Sequence, residues 1–209
     1  MKALTEPKAE ELLSKYLPIA KSILVKKPED GQKFAKQYPV MLKLISPQAL
    51  HKTEVNGIRK ADSAEELEAE FNDLVSVAKK KKLKLEGILV QEHVEGVETI
   101  IGLKNDPTFG HVVVFGIGGV FVELLKDVSF RVCPITEKDA ESMIEELKAK
   151  ELLFGFRGSK PVNLKILKNA IVAVSKIPEK YPQIQELDIN PFMINDKAGK
   201  VADARIIMN

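Results

Sequence analysis

Short apolar runs alternate with amphipathic segments along the chain, and this pattern predicts an α+β fold. Apolar residues at intervals of three and four predict helices near residues 9–16, 28–37, 63–78, 137–150 and 163–177. β-like runs cover residues 22–26, 40–45, 88–94, 97–103, 112–117, 128–132, 184–194 and 201–208. Turn signals at Glu95-Gly96 and Asn105-Asp106-Pro107 predict antiparallel hairpins at both places, and therefore a mostly antiparallel sheet.

The last two β-like runs share a polar face that suits a divalent cation. If the turn at residues 196–199 pairs Asn195 with Lys200, then Asn190 lies opposite Arg205. Carboxylate and amide oxygens on such a face suit Mg²⁺ better than Zn²⁺. A solvated outer face with an Asp–Arg pair explains the same pattern, so both interpretations stay open at this point. The polar residues on this face are Asp188, Asn190, Asp203 and Arg205.

Lysines, a glycine-rich turn and one histidine are further candidates for phosphate chemistry. Lys43 stands between two leucines, where it either emerges at a cleft or reaches towards solvent; Lys26 ends an earlier β-like run. Gly116-Ile117-Gly118-Gly119 ends a run and lets backbone N–H groups approach a phosphate, although purely structural turns have the same composition. His51 lies in a polar segment beside Lys52, but most histidines are structural.

Composition narrows the class of protein. With 32 Lys and Arg against 30 Asp and Glu, the charge balance gives no sign of a nucleic-acid partner. No apolar stretch approaches the roughly 18 residues of a membrane span. The single cysteine, Cys133, excludes an intrachain disulfide and is expected to be a small buried residue. We therefore expect a soluble, cytoplasmic protein.

A series of ordered blocks along the chain resembles one enzyme family. The blocks are Tyr38–Lys43, Ser46-Pro47, His51–Gly57, Leu89–Glu92, Asp106–Gly110, Phe115–Gly119, Phe121–Glu123, Lys126–Arg131, Glu186–Pro191 and Ala202–Arg205. They resemble the ATP-grasp subunit of ADP-forming acetyl-CoA synthetases (acetate–CoA ligases), which is related to succinyl-CoA synthetase. One departure is Asn56, which stands where the family usually has glycine; asparagine tolerates the positive φ that such a position favours.

The resemblance implies a single ATP-grasp domain over residues 1–209, in which two α+β lobes with antiparallel sheets, roughly 20–95 and 96–209, clamp a nucleotide. It implies the reaction acyl-CoA + ADP + phosphate ⇌ carboxylic acid + CoA + ATP, with Mg²⁺ and ATP or ADP. It also implies a CoA-binding alpha subunit in an α₂β₂ heterotetramer. Since the chain carries no CoA-binding Rossmann-like domain, we expect it to be catalytically incomplete alone.

The same resemblance assigns roles to single residues. His51 is a phosphoryl relay, and Asp188 orients a phosphohistidine by accepting its other N–H. Asn190 and Asp203 are the Mg²⁺ ligands, and Arg131 holds the transferring phosphate. The nucleotide-binding candidates are Lys26, Lys43, Gln91, Glu92, Val94, Glu98, Gly116, Gly118 and Gly119, with residues 90–94 as the hinge beside the adenine.

Two other functions fit the same resemblance. A carboxylate–amine ligase of the ATP-grasp superfamily would use the same nucleotide site without needing His51. A non-catalytic nucleotide-binding module would bind Mg-ADP and form no phosphohistidine. The acyl substrate and the choice between adenine and guanine nucleotide stay open.

Overall fold

The computed structural model describes residues 2–49, 55–119 and 126–209 as an α+β protein with two sheets. The helices are α1 Glu6–Leu13, α2 Pro28–Phe34, α3 Ala64–Lys80, α4 Glu137–Glu145, α5 Glu151–Phe154 and α6 Leu164–Lys180. A 3₁₀ turn covers Phe156–Gly158. The strands are β1 Lys2–Ala3, β2 Ser22–Val25, β3 Val40–Ile45, β4 Ile58–Ala61, β5 Gly87–Glu92, β6 Val97–Asp106, β7 Gly110–Ile117, β8 Val128–Val132, β9 Ile184–Ile194, β10 Gly199–Val201 and β11 Ala204–Met208.

The chain divides into two compact units, each with its own sheet. The larger unit contains Met1–Ile19 and Val94–Asn209, and the smaller unit contains Ala20–His93. The first nineteen residues, which the expected lobe bounds left out, thus belong with the carboxy-terminal part of the chain.

The larger unit is a seven-stranded antiparallel sheet with helices packed on one face. Its strand order is β1-β11-β9-β6-β7-β8, and β10 pairs with β9. Fully buried side chains such as Phe115, Leu187 and Ile171 join the sheet to α1, α4 and α6. Because side chains alternate along a strand, the other face carries a different residue set. We call it the open face: Glu98, Ile100, Gly102 and Lys104 of β6; Val112, Val114 and Gly116 of β7; Phe130 and Val132 of β8; Glu186, Asp188 and Asn190 of β9; and Arg205 of β11.

The smaller unit is a four-stranded antiparallel sheet in the order β2-β5-β3-β4, with α2 and α3 on one face. Helix α3 begins where Ser63 Oγ accepts the N–H of Glu66 at 3.2 Å, and it ends with Lys79 and Lys80. Its apolar stripe, with Leu67 and Leu74 fully buried, packs on the sheet. The opposite face of this sheet carries Lys43 and Gln91.

One predicted hairpin is confirmed and the other is wrong. Strands β6 and β7 pair through a turn where the Asp106 carboxylate accepts the N–H groups of Thr108 and Phe109, which lowers the pKa of Asp106. At Glu95-Gly96, however, the chain passes from one sheet to the other, since β5 pairs with β2 and β3. Gly96 is needed for close packing rather than for a hairpin turn: a Cβ there would lie 2.4 Å from the Ile194 carbonyl oxygen.

The short elements β1, β4 and α5 were not expected from the pattern. Among the described residues, no helix is both long enough and apolar enough to cross a membrane.

Candidate functional site

The carboxy-terminal strand pair has a register two positions away from the expected one. Asp188 lies opposite Arg205, and Ile194 lies opposite Gly199. The turn closes early because the Asn195 Oδ1 atom accepts the N–H groups of Lys197 and Ala198, both at 2.9 Å. A shift of two positions preserves the faces, so the polar residues still project together.

The corrected register brings the two expected metal ligands opposite each other. The N–H of Asn190 donates to the Asp203 carbonyl at 3.1 Å. Asn190 belongs to β9, and Asp203 lies in the chain between β10 and β11. Asn190 is exposed, and Asp188 and Asp203 are half-buried. The described residues contain no cluster of three or more His, Cys, Asp or Glu side chains that would hold a metal alone. One amide and one or two carboxylates instead fit Mg²⁺, which keeps waters and takes further ligands from phosphate.

A neighbouring ion pair sets the charge of this face. The Arg205 guanidinium donates to the Glu186 carboxylate at 2.5 Å, across strands β9 and β11. Asp188, the aspartate of the expected Asp–Arg pair, lies opposite Arg205 on the neighbouring strand. The ion pair holds the positive charge of Arg205 on β11, two residues after Asp203. A positive charge at this place would favour negative charge that develops on a nearby phosphate.

The glycine turn after β7 packs directly on Glu98. The N–H of Gly118 donates to the Glu98 carbonyl at 2.7 Å. A Cβ on Gly118 would lie 3.0 Å from the Glu98 Cβ and 3.1 Å from its carbonyl carbon, and Gly119 has φ +66°. Gly116 is buried between Ile100 and Val128. The turn therefore needs glycine for its own geometry, and it brings the Glu98 side chain beside Gly119.

Replacing Gly118 with alanine is expected to destabilise the protein. The added methyl group must displace the Glu98 backbone, which should cost about 1–3 kcal/mol. Urea unfolding of Gly118→Ala measures this cost. Gly110→Ala is the control for a glycine with positive φ and no atom within 4 Å of an added Cβ, and it should lose only the roughly 1 kcal/mol of the φ penalty. Equal losses in both variants would contradict the packing argument.

Arg131 lies on the wrong face of the sheet for the expected phosphate contact. Its opposite neighbour on β7 is Val113, which is buried under the helices, so the side chain points towards α4. There the guanidinium binds the Glu146 carboxylate just after α4, and also Ser142 at 3.2 Å. Side-chain alternation is the reason: on β8 the open face is occupied by Phe130 and Val132.

Glu146 and Asp127 fasten strand β8 to the end of α4, and sequence reasoning missed both. The Glu146 carboxylate accepts from Arg131 and from the Ser129 hydroxyl at 2.6 Å. Buried Asp127 accepts the N–H groups of Lys148 and Ala149 at 2.9 and 2.8 Å.

The pKa of Glu146 leads to a pH-dependent prediction. Hydrogen bonds from Arg131 lower this pKa from 4.5 to about 2. The stabilisation is complete above pH 4.5 and is lost as the pH falls towards about 2. Because the carboxylate is half exposed, Glu146→Gln should cost only about 1 kcal/mol at pH 7. Urea unfolding should show this loss shrinking between pH 5 and pH 3, whereas a loss that is independent of pH would contradict the assignment. The control is Glu145→Gln, which removes the neighbouring carboxylate that pairs with Lys150 at 2.6 Å.

In the smaller unit the candidates separate into two groups. Lys43 and Gln91 are 5 % and 1 % exposed, on adjacent strands of the face opposite the helices. Glu92 ends β5, and its carboxylate accepts the Lys21 N–H at 2.8 Å. Lys26 is exposed directly after edge strand β2, and β5 lies between β2 and β3, the strand that carries Lys43.

The remaining candidates fall at a unit boundary or outside the described residues. Val94 is the first residue of the larger unit after the chain leaves the smaller one. His51 lies outside the described residues, as does Glu123. Asn56 has φ +54°, which confirms the expectation of a positive φ at this position.

The side chains of His111 and Cys133 have structural roles. His111 Nε2 lies 2.7 Å from the Ile184 carbonyl oxygen, which ties β7 to the start of β9. Burial raises the pKa of the Cys133 thiol to about 11, so the thiol is not activated. Neither residue joins the open face.

Comparison with known proteins assigns almost the whole chain to one family. The model of the ATP-grasp domain family matches residues 1–208. The chain is 40 % identical to the acetate–CoA ligase (ADP-forming) I subunit beta of Pyrococcus furiosus, over 98 % of this chain and 91 % of that protein. It spans only 25 % and 30 % of two longer curated relatives that are 40 % and 39 % identical.

Solved structures agree with this placement. Acetyl-coenzyme A synthetase 1 of Ca. Korarchaeum cryptofilum, in complex with coenzyme A, Ca-AMPCP and HgCl⁺, superposes with a TM-score of 0.94 and 44 % identity, covering 100 % of this chain and 94 % of that chain. The same enzyme with coenzyme A and Mg-AMPPCP, whose phosphohistidine segment points towards the nucleotide-binding site, gives a TM-score of 0.85 and 42 % identity over 100 % and 93 % of the two chains.

Proposed function

The chain belongs to the ATP-grasp family, among the beta subunits of ADP-forming acetate–CoA ligases, and we propose that it transfers phosphate between a phosphohistidine and Mg-ADP. The complete reaction is acyl-CoA + ADP + phosphate ⇌ carboxylic acid + CoA + ATP. The observation that carries the proposal is the opposed pair of Asn190, on the open face, and Asp203, between β10 and β11. The beta-subunit relative and the nucleotide complexes of the Korarchaeum enzyme support it.

Asn190 and Asp203 would hold Mg²⁺ through their side-chain oxygens. Held by these two residues, Mg²⁺ would supply positive charge that offsets the negative charge of the nucleotide phosphates. The adjoining backbone is fixed by the Asn190 N–H bond to Asp203, so both ligands hold their relative position. Preorganised ligands matter because phosphoryl transfer depends mainly on positioning and electrostatics.

Two residue groups would bind the nucleotide. Lys43, a cation on a largely apolar strand, would contact phosphate oxygens, and Gln91 and Glu92 at the end of β5 would face the adenine together with Val94. From the larger unit, the backbone at Gly116, Gly118 and Gly119 would approach the phosphates, with Glu98 beside the turn. Arg131 is left out of this set because Glu146 binds it on the other face of β8.

His51 would receive and pass on the phosphoryl group. Imidazole is a good phosphoryl acceptor and leaving group near neutral pH. One ring nitrogen forms the bond to phosphorus while the other keeps its proton. Asp188, on the open face two positions before Asn190, would accept that remaining N–H and fix the ring. The transfer conserves atoms: the phosphorus–nitrogen bond breaks as the bond to the ADP oxygen forms.

A CoA-binding alpha subunit would complete the enzyme, and we propose an α₂β₂ heterotetramer working in the cytoplasm. Acyl-CoA phosphorolysis and the selection of the acyl group would take place on that partner. The isolated chain would therefore bind nucleotide without turning over acyl-CoA.

Calorimetric titration of the purified chain with ADP, with and without Mg²⁺, tests this function. We expect binding that Mg²⁺ strengthens by at least about tenfold, since the ion links the phosphates to Asn190 and Asp203. Affinity that is independent of Mg²⁺, or no binding of ADP or ATP at all, would contradict the proposal.

A further inference from the structure

Strands β6 and β9 lose their regular register at the proposed metal ligand Asn190. Next to the opposed pair Thr99 and Phe192, one residue of β6 faces two residues of β9, Asn190 and Pro191. Two residues against one is the count of a β-bulge, which redirects the side chains of the bulged strand. Ile189 and Phe192, on either side of the bulge, are fully buried, whereas Asn190 is exposed. The bulge thus lets β9 present Asn190 at the open face while core residues three positions apart both stay buried.

The hydrogen-bond ladder between β6 and β9 is weakened at this bulge. Pro191 has no N–H to donate. The N–H of Asn190 already donates to the Asp203 carbonyl at 3.1 Å, on the other side of β9. Of these two described residues, neither therefore has a backbone N–H left for β6. The position of the bulge then depends on contacts directly beside it.

Thr99 supplies such a contact with its side chain. Its hydroxyl donates to the Phe192 carbonyl at 2.8 Å, and Thr99 is fully buried. Removing the hydroxyl would take a donor from a buried carbonyl that water does not reach. The Phe192 ring is held as well, since a Cβ on Gly199 would lie only 2.6 Å from it. Phe192 is therefore a fixed point two residues after Asn190.

We propose that Thr99 is a positioning residue for the magnesium site. Its hydroxyl holds the end of the bulge at Phe192, and the bulge sets the place from which the Asn190 side chain projects. Thr99 lies on the helix-packed face of the sheet, so it acts through Phe192 and not by contact with the ion. This proposal rests on the proposed function, because Mg²⁺ is the ion that Asn190 would hold.

Calorimetric titration with ADP over a range of Mg²⁺ concentrations is compared for Thr99→Val and Thr99→Ser. Valine keeps the branched shape of threonine and removes the hydroxyl. Thr99→Val should need about tenfold more Mg²⁺ for half-maximal strengthening of ADP binding, since partners that orient metal ligands have effects of this size. Its ADP affinity in EDTA should stay within about twofold of wild type, because no group assigned to the nucleotide is altered. Thr99→Ser keeps the hydroxyl and should restore the wild-type response to Mg²⁺.

The matched control removes another buried hydroxyl of the same unit. Ser175 is 1 % exposed; its hydroxyl accepts the Ile135 N–H at 3.2 Å and donates to the Val172 carbonyl at 2.8 Å. Ser175→Ala should lower the urea midpoint of unfolding, as Thr99→Val does, and leave the response to Mg²⁺ unchanged. The comparison separates the loss of a ligand position from a general loss of stability.

Hydrogen exchange of the metal-free chain gives a second readout that needs no ion. The Asn190 amide should exchange at least about tenfold faster in Thr99→Val than in wild type. The Val201 amide, which donates to the Pro18 carbonyl at 2.9 Å, is the internal reference and should change less.

Four results would overturn the proposal: an unchanged response to Mg²⁺ in Thr99→Val, an equal loss in Thr99→Ser, an equal loss in Ser175→Ala, or a Thr99→Val chain that does not fold. Wild-type ADP binding that ignores Mg²⁺ would instead refute the proposed function. The exchange of the Asn190 amide does not depend on that function, so the two failures are distinguishable.

Discussion

Replacing Asp203 with alanine should remove the Mg²⁺ dependence of ADP binding. The variant loses the one carboxylate that lies directly opposite Asn190, and the remaining amide is a weak ligand for a hard cation. We expect the affinity for ADP in the presence of Mg²⁺ to fall by at least about tenfold, to the value measured without the ion. Calorimetric titration with ADP, in magnesium and in EDTA, gives both numbers for each protein.

The control for Asp203→Ala comes from the same hairpin. Asp196 lies in the turn between β9 and β10, where its carboxylate is 3.4 Å from Lys160. Asp196→Ala removes the same charge without touching the open face, so it should bind Mg-ADP as wild type does. If both variants bind equally, the metal does not use Asp203 and the hairpin is only a polar surface.

Replacing His51 with alanine should abolish turnover and leave nucleotide binding intact. Without the imidazole there is no acceptor for the phosphoryl group, so we expect the reconstituted assembly to lose at least about 10⁴-fold in kcat. The isolated variant should bind Mg-ADP within about twofold of wild type, since binding is assigned to other residues. Steady-state assays with acyl-CoA, ADP and phosphate measure the first quantity, and calorimetry measures the second.

The outcome of His51→Ala also separates the three candidate functions. The control is His93→Ala, which removes an exposed side chain and keeps the backbone of the hinge at residues 90–94, so it should keep full activity. A carboxylate–amine ligase would remain active without His51. A nucleotide-binding module would show no turnover with any variant, including the wild type.

Much of the fold could be predicted from local patterns, but the pairing of strands that are distant along the chain could not. Helix α3 was visible because Ser63 and the spacing of Leu67, Phe71 and Leu74 are local signals. The turn signal at Glu95-Gly96 suggested a hairpin, yet β5 and β6 lie in different sheets. Their partners come from distant parts of the chain, and a local turn signal carries no information about such contacts.

The candidate site shows the same limit at the scale of single residues. The prediction that Asn190 and Asp203 lie together held despite a register error, because a shift of two positions keeps each side chain on its face. Arg131 could not be placed from its motif, because its direction depends on the pairing of β8 with β7. Its partner Glu146 lies fifteen residues further on, after the next helix, where no local pattern connects the two.

Transfer of a labelled phosphoryl group tests the central claim most directly. The wild-type chain and its CoA-binding partner are incubated with ATP labelled at the γ-phosphate and Mg²⁺, and then ADP is added in excess. The proposed function predicts an acid-labile, base-stable label on protein histidine that returns to ADP as labelled ATP. A protein that never takes up the label, or one whose label does not return to ADP, would contradict phosphate transfer between phosphohistidine and Mg-ADP.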